Sequence, residues 1–257
     1  MSVILICAVA LAASCLTFFS GFGLGTILMP VFAIFFPLEI AIALTAVVHF
    51  LNNIFKFVLL WKEADWRVIG KFGFPAFIFA WGGAKGLFLL EKMPPLFTYS
   101  FLGKEMIVAP VKLMVGFLIL VFLLLESLPF LGKVSVPQRY LPLGGMISGF
   151  LGGLSGHQGA LRSVFLIKCG LSKETYIATG VIIACLVDFS RISVYSQNLI
   201  ASGIQEYWPV VLPAVLSAFT GVYLGRRFMK KVTMKFVQVI VSGMLLAIAV
   251  LLGMGMI

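Results

Sequence analysis

The chain has 257 residues, of which 61% are hydrophobic and only 11% charged, and its mean hydropathy is +1.14. No soluble domain of this length could cover such a surface with polar atoms, so a water-soluble fold is excluded. The formal net charge of +10 does not point to nucleic acid, because the bases are scattered through short loops between apolar runs, where Lys and Arg mark cytoplasmic facing.

The apolar residues form successive continuous runs of bilayer-spanning length, which predicts an all-α polytopic membrane protein and not a barrel of alternating strands. Segment one covers residues 2–36, is broken by the glycines at 21–25 and ends before Pro37. No base precedes it and Ala12-Ala13-Ser14-Cys15 is a poor lipoprotein cleavage box, so it is expected to remain as a membrane helix. Segment two covers 38–61 and is followed by the polar patch Lys62-Glu63-Ala64-Asp65-Trp66-Arg67, whose tryptophan suits the membrane interface. Segment three covers 68–90, a long connection with Pro94-Pro95 covers 91–105, and segment four covers 106–128. A linker at 129–140, with Pro129, Gly132, Lys133, Pro137, Gln138 and Arg139, separates a first repeat (1–128) from a second (141–257). Segments five to eight then cover 141–170, 172–200, 208–225 and 235–257, with a basic loop at 226–231. The four cysteines lie in apolar runs without Cys-x-x-Cys spacing and read as packing residues.

The halves echo one another. A shift of 134 residues lays Gly25 on Gly159 and Thr45 on Thr179, and a slightly larger one lays Pro75 on Pro213 and Gly83 on Gly221. An internal duplication of four segments each follows, a common transporter architecture. If segments one and five are single broken spans, the halves are parallel; if each is a hairpin, they are inverted. With Arg162 and Arg191 set aside as deep in segments, the parallel model divides the remaining bases eleven against six. The hairpin model divides them thirteen against four, leaving only Lys85, Lys92, Lys104 and Lys112 outside. The stronger asymmetry and the segment lengths favour inverted repeats, each opening with a glycine-broken helical hairpin.

Charge at membrane depth is costly unless paired or hydrated, so it marks candidate function. The stretch 149–162 packs five glycines, Ser155, His157, Gln158 and Arg162 into fourteen residues, and Gly23, Gly25 and Thr26 belong to its weaker copy near the N-terminus. Backbone freed by Gly156 and Gly159 exposes N–H donors, and the guanidinium of Arg162 matches the oxygens of a carboxylate, phosphate or sulfonate. The competing reading makes the glycines packing residues and lets Arg162 snorkel to the interface. In segment two, Thr45, His49, Asn52 and Lys56 fall on one helical stripe, with Asn53 beside it, and face either a water-filled path or an interhelical seam. His49 can change charge near neutral pH and so couple transport to protons. Asp188 and Arg191 are spaced as an intrahelical ion pair, structural or released during a cycle for coupling or gating, and Thr179 is a further polar candidate on segment six. Lys85, near Gly82, Gly83 and Gly86, attracts anions or snorkels.

Gly153-Leu154-Ser155-Gly156 and the His49/Asn53 pair resemble pieces of rhomboid intramembrane proteases, but no histidine follows His157 to act as general base. Metal clusters, phosphate-binding loops and dinucleotide motifs are missing from the sequence, so no cofactor is expected.

Taken together, Gly21-x-Gly23-x-Gly25 with Pro30, Ala43-x-Thr45 with Asn52-Asn53, and Asp65-Trp66-Arg67 resemble the sulfite exporter TauE/SafE family of permeases. The second half echoes them in Gly152-Gly153 through Gly159, Ala178-Thr179 and Gly221-x-x-x-Gly225. His157-Gln158 and the 91–105 connection depart from that pattern. The resemblance implies a small sulfur-containing oxyanion, sulfite or an organosulfonate, as substrate. The expectation is a secondary transporter of a bacterial inner membrane, exporting by alternating access, with lipid and a small anion as partners, no nucleic acid, and a homodimer compatible with this organisation. An anion channel and proton-coupled uptake of a carboxylate or sulfonate are the alternatives.

Overall fold

The computed structural model describes residues 2–18, 23–101, 103–127, 136–201, 204–228 and 234–256. Its helices follow the hydropathy closely: α1 Ser2–Thr17, α2 Leu24–Phe35, α3 Leu38–Leu60, α4 Trp66–Val68 and α5 Phe74–Glu91 in the first half. A π-helical turn at Ile69–Gly73 joins α4 to α5, making one continuous helical segment over 66–91. Two antiparallel strands, β1 Phe97–Phe101 and β2 Lys104–Val108, precede α6 Pro110–Ser127. The second half holds α7 Leu141–Ser155, α8 Gly159–Leu166, α9 Lys173–Ala201, α10 Trp208–Phe228 and α11 Met234–Gly253.

Among the described residues, four segments, within Leu38–Glu63, Trp66–Glu91, Lys173–Ser196 and Trp208–Arg227, are long and apolar enough to cross a bilayer. At 1.5 Å per residue, the 16 residues of α1 and the 15 of α7 reach only about 24 and 22 Å, short of a hydrocarbon core of about 30 Å. Large apolar side chains such as Ile34, Phe117, Leu143, Phe189 and Leu216 face outward, whereas Asn52, Lys56, Gln158, Asp188 and Arg191 are buried. This inside-out distribution is the one expected where the solvent is lipid.

The main helix contacts run between the halves: α5 lies on α7, α10 on α1, α3 on α9 and α11 on α6. The α5–α7 contact is close because Gly145, Gly149 and Gly153 stand one above another on α7, each against a backbone carbonyl, of Phe72 in the π-helical turn and of Ala76 and Ala80 in α5 in turn. A Cβ at any of these glycines would overlap that carbonyl oxygen, so backbone meets backbone. Gly221 and Gly225 do the same for α10 against Leu11 and Cys15 of α1.

One boundary differs from the sequence reading. Segment four begins at Pro110 and not at 106, because residues 104–108 form β2. The connection from 91 is therefore not irregular: Leu96 and the β-hairpin fold over the end of α11, with the Tyr99 hydroxyl donating to the Met254 carbonyl at 2.8 Å. Ser20 and Gly21 of the first glycine cluster, Pro129, Gly132 and Lys133 of the linker, and Lys230 and Lys231 of the basic loop lie outside the described residues.

Candidate functional site

The second glycine cluster divides between two tasks. Gly149 and Gly153 pack α7 on α5, as just described, while Gly156 ends the helix. Its φ of 80° is left-handed, the conformation that glycine adopts without a Cβ penalty, and its amide donates to the Gly152 carbonyl at 2.9 Å. Gly23 plays the corresponding part before α2, with a φ of 112°. These two turns approach one another: a Cβ built on Gly25 would lie 3.8 Å from the Gly156 carbonyl oxygen and 3.6 Å from Cδ2 of His49. A Cβ on Gly156 would lie 3.0 Å from Nη1 of Arg191. Four elements (α2, α3, α9 and the α7–α8 turn) thus converge on one point.

Buried charge gathers around this point. His49 on α3 places Nδ1 2.5 Å from Oδ2 of Asp188 on α9, and Asp188 Oδ1 accepts from Arg191 Nε at 3.0 Å, with Nη2 at 2.8 Å. The Asn53 Nδ2 amide donates to Nε2 of His49 at 3.2 Å, since Nδ1 donates to the carboxylate. Arg162, one turn into α8, is only 4% exposed, and its guanidinium lies over Gly180 of α9. It sits within electrostatic reach of Asp188, Tyr176 and Lys56. Among the described residues, the buried cationic side chains are Lys56, Arg162 and Arg191, and Asp188 is the only buried carboxylate. Three buried cationic side chains thus stand against one buried carboxylate among the described residues. Such an excess is costly at low dielectric unless an anion completes it.

Polar atoms without a protein partner are concentrated in the same residues. Arg191 Nη1, Thr45 Oγ1, Asn52 Nδ2, His157 Nε2 and both amide atoms of Gln158 are buried and make no hydrogen bond among the described residues. Native interiors pair most such atoms, so this group is set to engage a ligand or water.

The sequence-derived candidates separate accordingly. Thr45, His49, Asn52 and Lys56 are all buried, so the α3 stripe faces protein; Asn52 Oδ1 accepts from Ser14 of α1 at 3.0 Å, which is a seam contact. Gln158 caps α8, its carbonyl accepting from the Arg162 amide at 3.1 Å, and Gly159 opens that helix. Thr26 is half-buried on the first turn of α2. Two candidates are spent on structure. The Ser155 hydroxyl donates to the Leu151 carbonyl at 2.9 Å and accepts from the His157 amide. The Thr179 hydroxyl accepts from the amide of Asp65 at 2.9 Å, well along the chain from the turn. Lys85 is exposed, with Nζ 3.7 Å from the Trp81 ring centroid. Ser14 and Tyr195 were not among the candidates. Tyr195 donates to the Gly153 carbonyl and, with Asp188 and Arg191, forms an i, i+3, i+7 stripe that was present in the sequence.

The cleft of about 490 Å³ bounded by Phe36, Glu39, Lys112 and Leu252 lies at the α2–α3 corner, away from this charge cluster.

Comparison with known proteins gives one match: the family described as "Sulfite exporter TauE/SafE" is matched over residues 6–252. No curated protein and no solved structure matches.

Proposed function

The chain belongs to the sulfite exporter TauE/SafE family and is a multi-pass membrane protein, and on that footing we propose that it is a secondary transporter of small sulfur-containing oxyanions, sulfite or an organosulfonate, in a bacterial inner membrane. The observation that carries the proposal is the buried excess of Lys56, Arg162 and Arg191 over Asp188 beside the two glycine turns. Guanidinium groups suit a planar or pyramidal oxyanion through forked N–H donors, and Thr45 and Asn52 add neutral donors nearby.

In this reading the halves are inverted repeats. α1 with α2 and α7 with α8 are hairpins that enter from opposite faces and meet at Gly25 and Gly156. The shortness of α1 and α7 and the exchange of partners between halves support it. Because glycine contacts join α7 to α5 and α1 to α10, each hairpin rocks together with a helix of the other half. Alternating access follows from the relative movement of those two units around the charge cluster.

Export is the simpler direction. An inside-negative potential favours anion exit by about 2.3 kcal/mol per charge per 100 mV. Sulfite efflux from proteoliposomes with equal pH on both sides is expected to accelerate with an imposed inside-negative potential. Movement seen only with an imposed pH gradient would instead support proton-coupled uptake, the reading that the His49–Asp188 contact favours. Currents too large for alternating access would indicate a channel. The hydrogen bonds of Ser155 give it a helix-end role and lend no support to a nucleophile.

A further inference from the structure

The anion reading accounts for the unpartnered donors but not for the unpartnered acceptors. His157 is 4% exposed, stacked on Phe122 of α6 at 6.1 Å between ring centroids, and its Nδ1 lies 2.8 Å from the Ser155 carbonyl oxygen. A carbonyl only accepts, so Nδ1 carries the proton and donates. In the neutral ring Nε2 is then a lone pair, buried and without a partner. A second ring proton would add a further cation to a cluster that already holds three against one carboxylate. Beside it, Gln158 Oε1 is likewise buried and unpartnered, and since both of its amide atoms lack partners, exchanging them changes nothing. Both residues directly follow Gly156, where Arg191 Nη1 and the Gly25 turn converge, and the Arg191 guanidinium is within electrostatic reach of the His157 ring.

A bare oxyanion such as sulfite has nothing to offer a lone pair. We infer that the anion taken by this site carries an N–H or O–H donor of its own, and that His157 Nε2 and Gln158 Oε1 accept from it. The inference rests on the anion reading and narrows its substrate class to donor-bearing anions. The donor is either on the oxyanion itself, as in hydrogensulfite, or on an organic tail, as in a hydroxyalkyl- or aminoalkylsulfonate. A site whose buried acceptors are filled by the ligand rejects an analogue that leaves them empty.

The test compares matched anions by calorimetric titration of the purified full-length protein. One pair is 2-hydroxyethanesulfonate against 1-propanesulfonate, which have equal numbers of heavy atoms and differ in the hydroxyl. The other is hydrogensulfite against methanesulfonate, with the donor on the oxyanion or absent. In at least one pair the donor-bearing member is expected to bind about tenfold tighter or more, and the pair that discriminates tells which source supplies the donor. His157→Phe and, independently, Gln158→Met should bring that ratio towards one; if His157→Phe does not fold, Gln158→Met carries the comparison. Equal affinity within both pairs would overturn the inference, assigning Nε2 to a structural water while leaving an anion site in place. Discrimination that survives both substitutions would overturn it as well. If none of the four anions binds, the anion reading itself fails and the inference falls with it.

Discussion

Asp188→Asn is expected to cost about 3–5 kcal/mol of stability, the usual result of removing one partner from a buried ion pair. The cause is local. Asp188 is fully buried, takes Nε and Nη2 of Arg191, and stands against His49, so its loss takes the carboxylate away from a buried guanidinium and imidazole. Pairing the change with Arg191→Gln should recover a substantial part of the loss, because the two charges then leave together and the coupling between them shows as non-additivity. The measurement is thermal unfolding of the four proteins in detergent. An additive cycle would mean that the pair contributes nothing through its charges. Anion binding gives a second readout: sulfite should stabilise Asp188→Asn more than the parent, since the ligand replaces the missing negative charge.

Gly153→Val is expected to disrupt assembly, at or beyond the upper end of the about 1–3 kcal/mol that overpacking costs. Its Cβ would overlap the carbonyl oxygen of Ala80, a backbone atom held in α5 and unable to swing aside. The same residue offers its own carbonyl to Tyr195, so displacement of α7 also breaks the link to α9. Gly70→Ala is the control, because a Cβ there meets no atom within 4 Å. Loss of a monodisperse folded species for Gly153→Val alone is the expected outcome by size exclusion and thermal unfolding. Equal behaviour of the two variants would remove the glycine contact as the element joining the halves.

These contacts explain how much could be read in advance. Helix positions followed from hydropathy because a helix in lipid must be apolar along its length, and the observed bounds of α3, α9 and α10 fall close to the apolar runs. The α3 stripe was legible for the same reason: Thr45, His49, Asn52 and Lys56 interrupt an apolar helix at a helical period. The partner of His49 was not legible, since Asp188 lies 139 residues away and only the α3–α9 contact brings them together. Nor did the spacing of the glycines separate those that pack from the one that turns; that division depends on which face of α7 meets α5. The β-hairpin was obscured by Pro94-Pro95, although the β-branched and aromatic content of Phe97-Thr98-Tyr99-Ser100-Phe101 is strand-like.

The central proposal is that a buried excess of positive charge next to the two turns holds the transported anion. Arg162→Ala tests it most directly, with transport of sulfite and of an organosulfonate measured in proteoliposomes beside the parent protein. Fold is checked in both by circular dichroism and gel filtration. A charge-assisted contact to a ligand oxygen predicts a fall in transport of at least about tenfold with the fold retained. Unchanged transport by a folded Arg162→Ala protein would contradict the site assigned here.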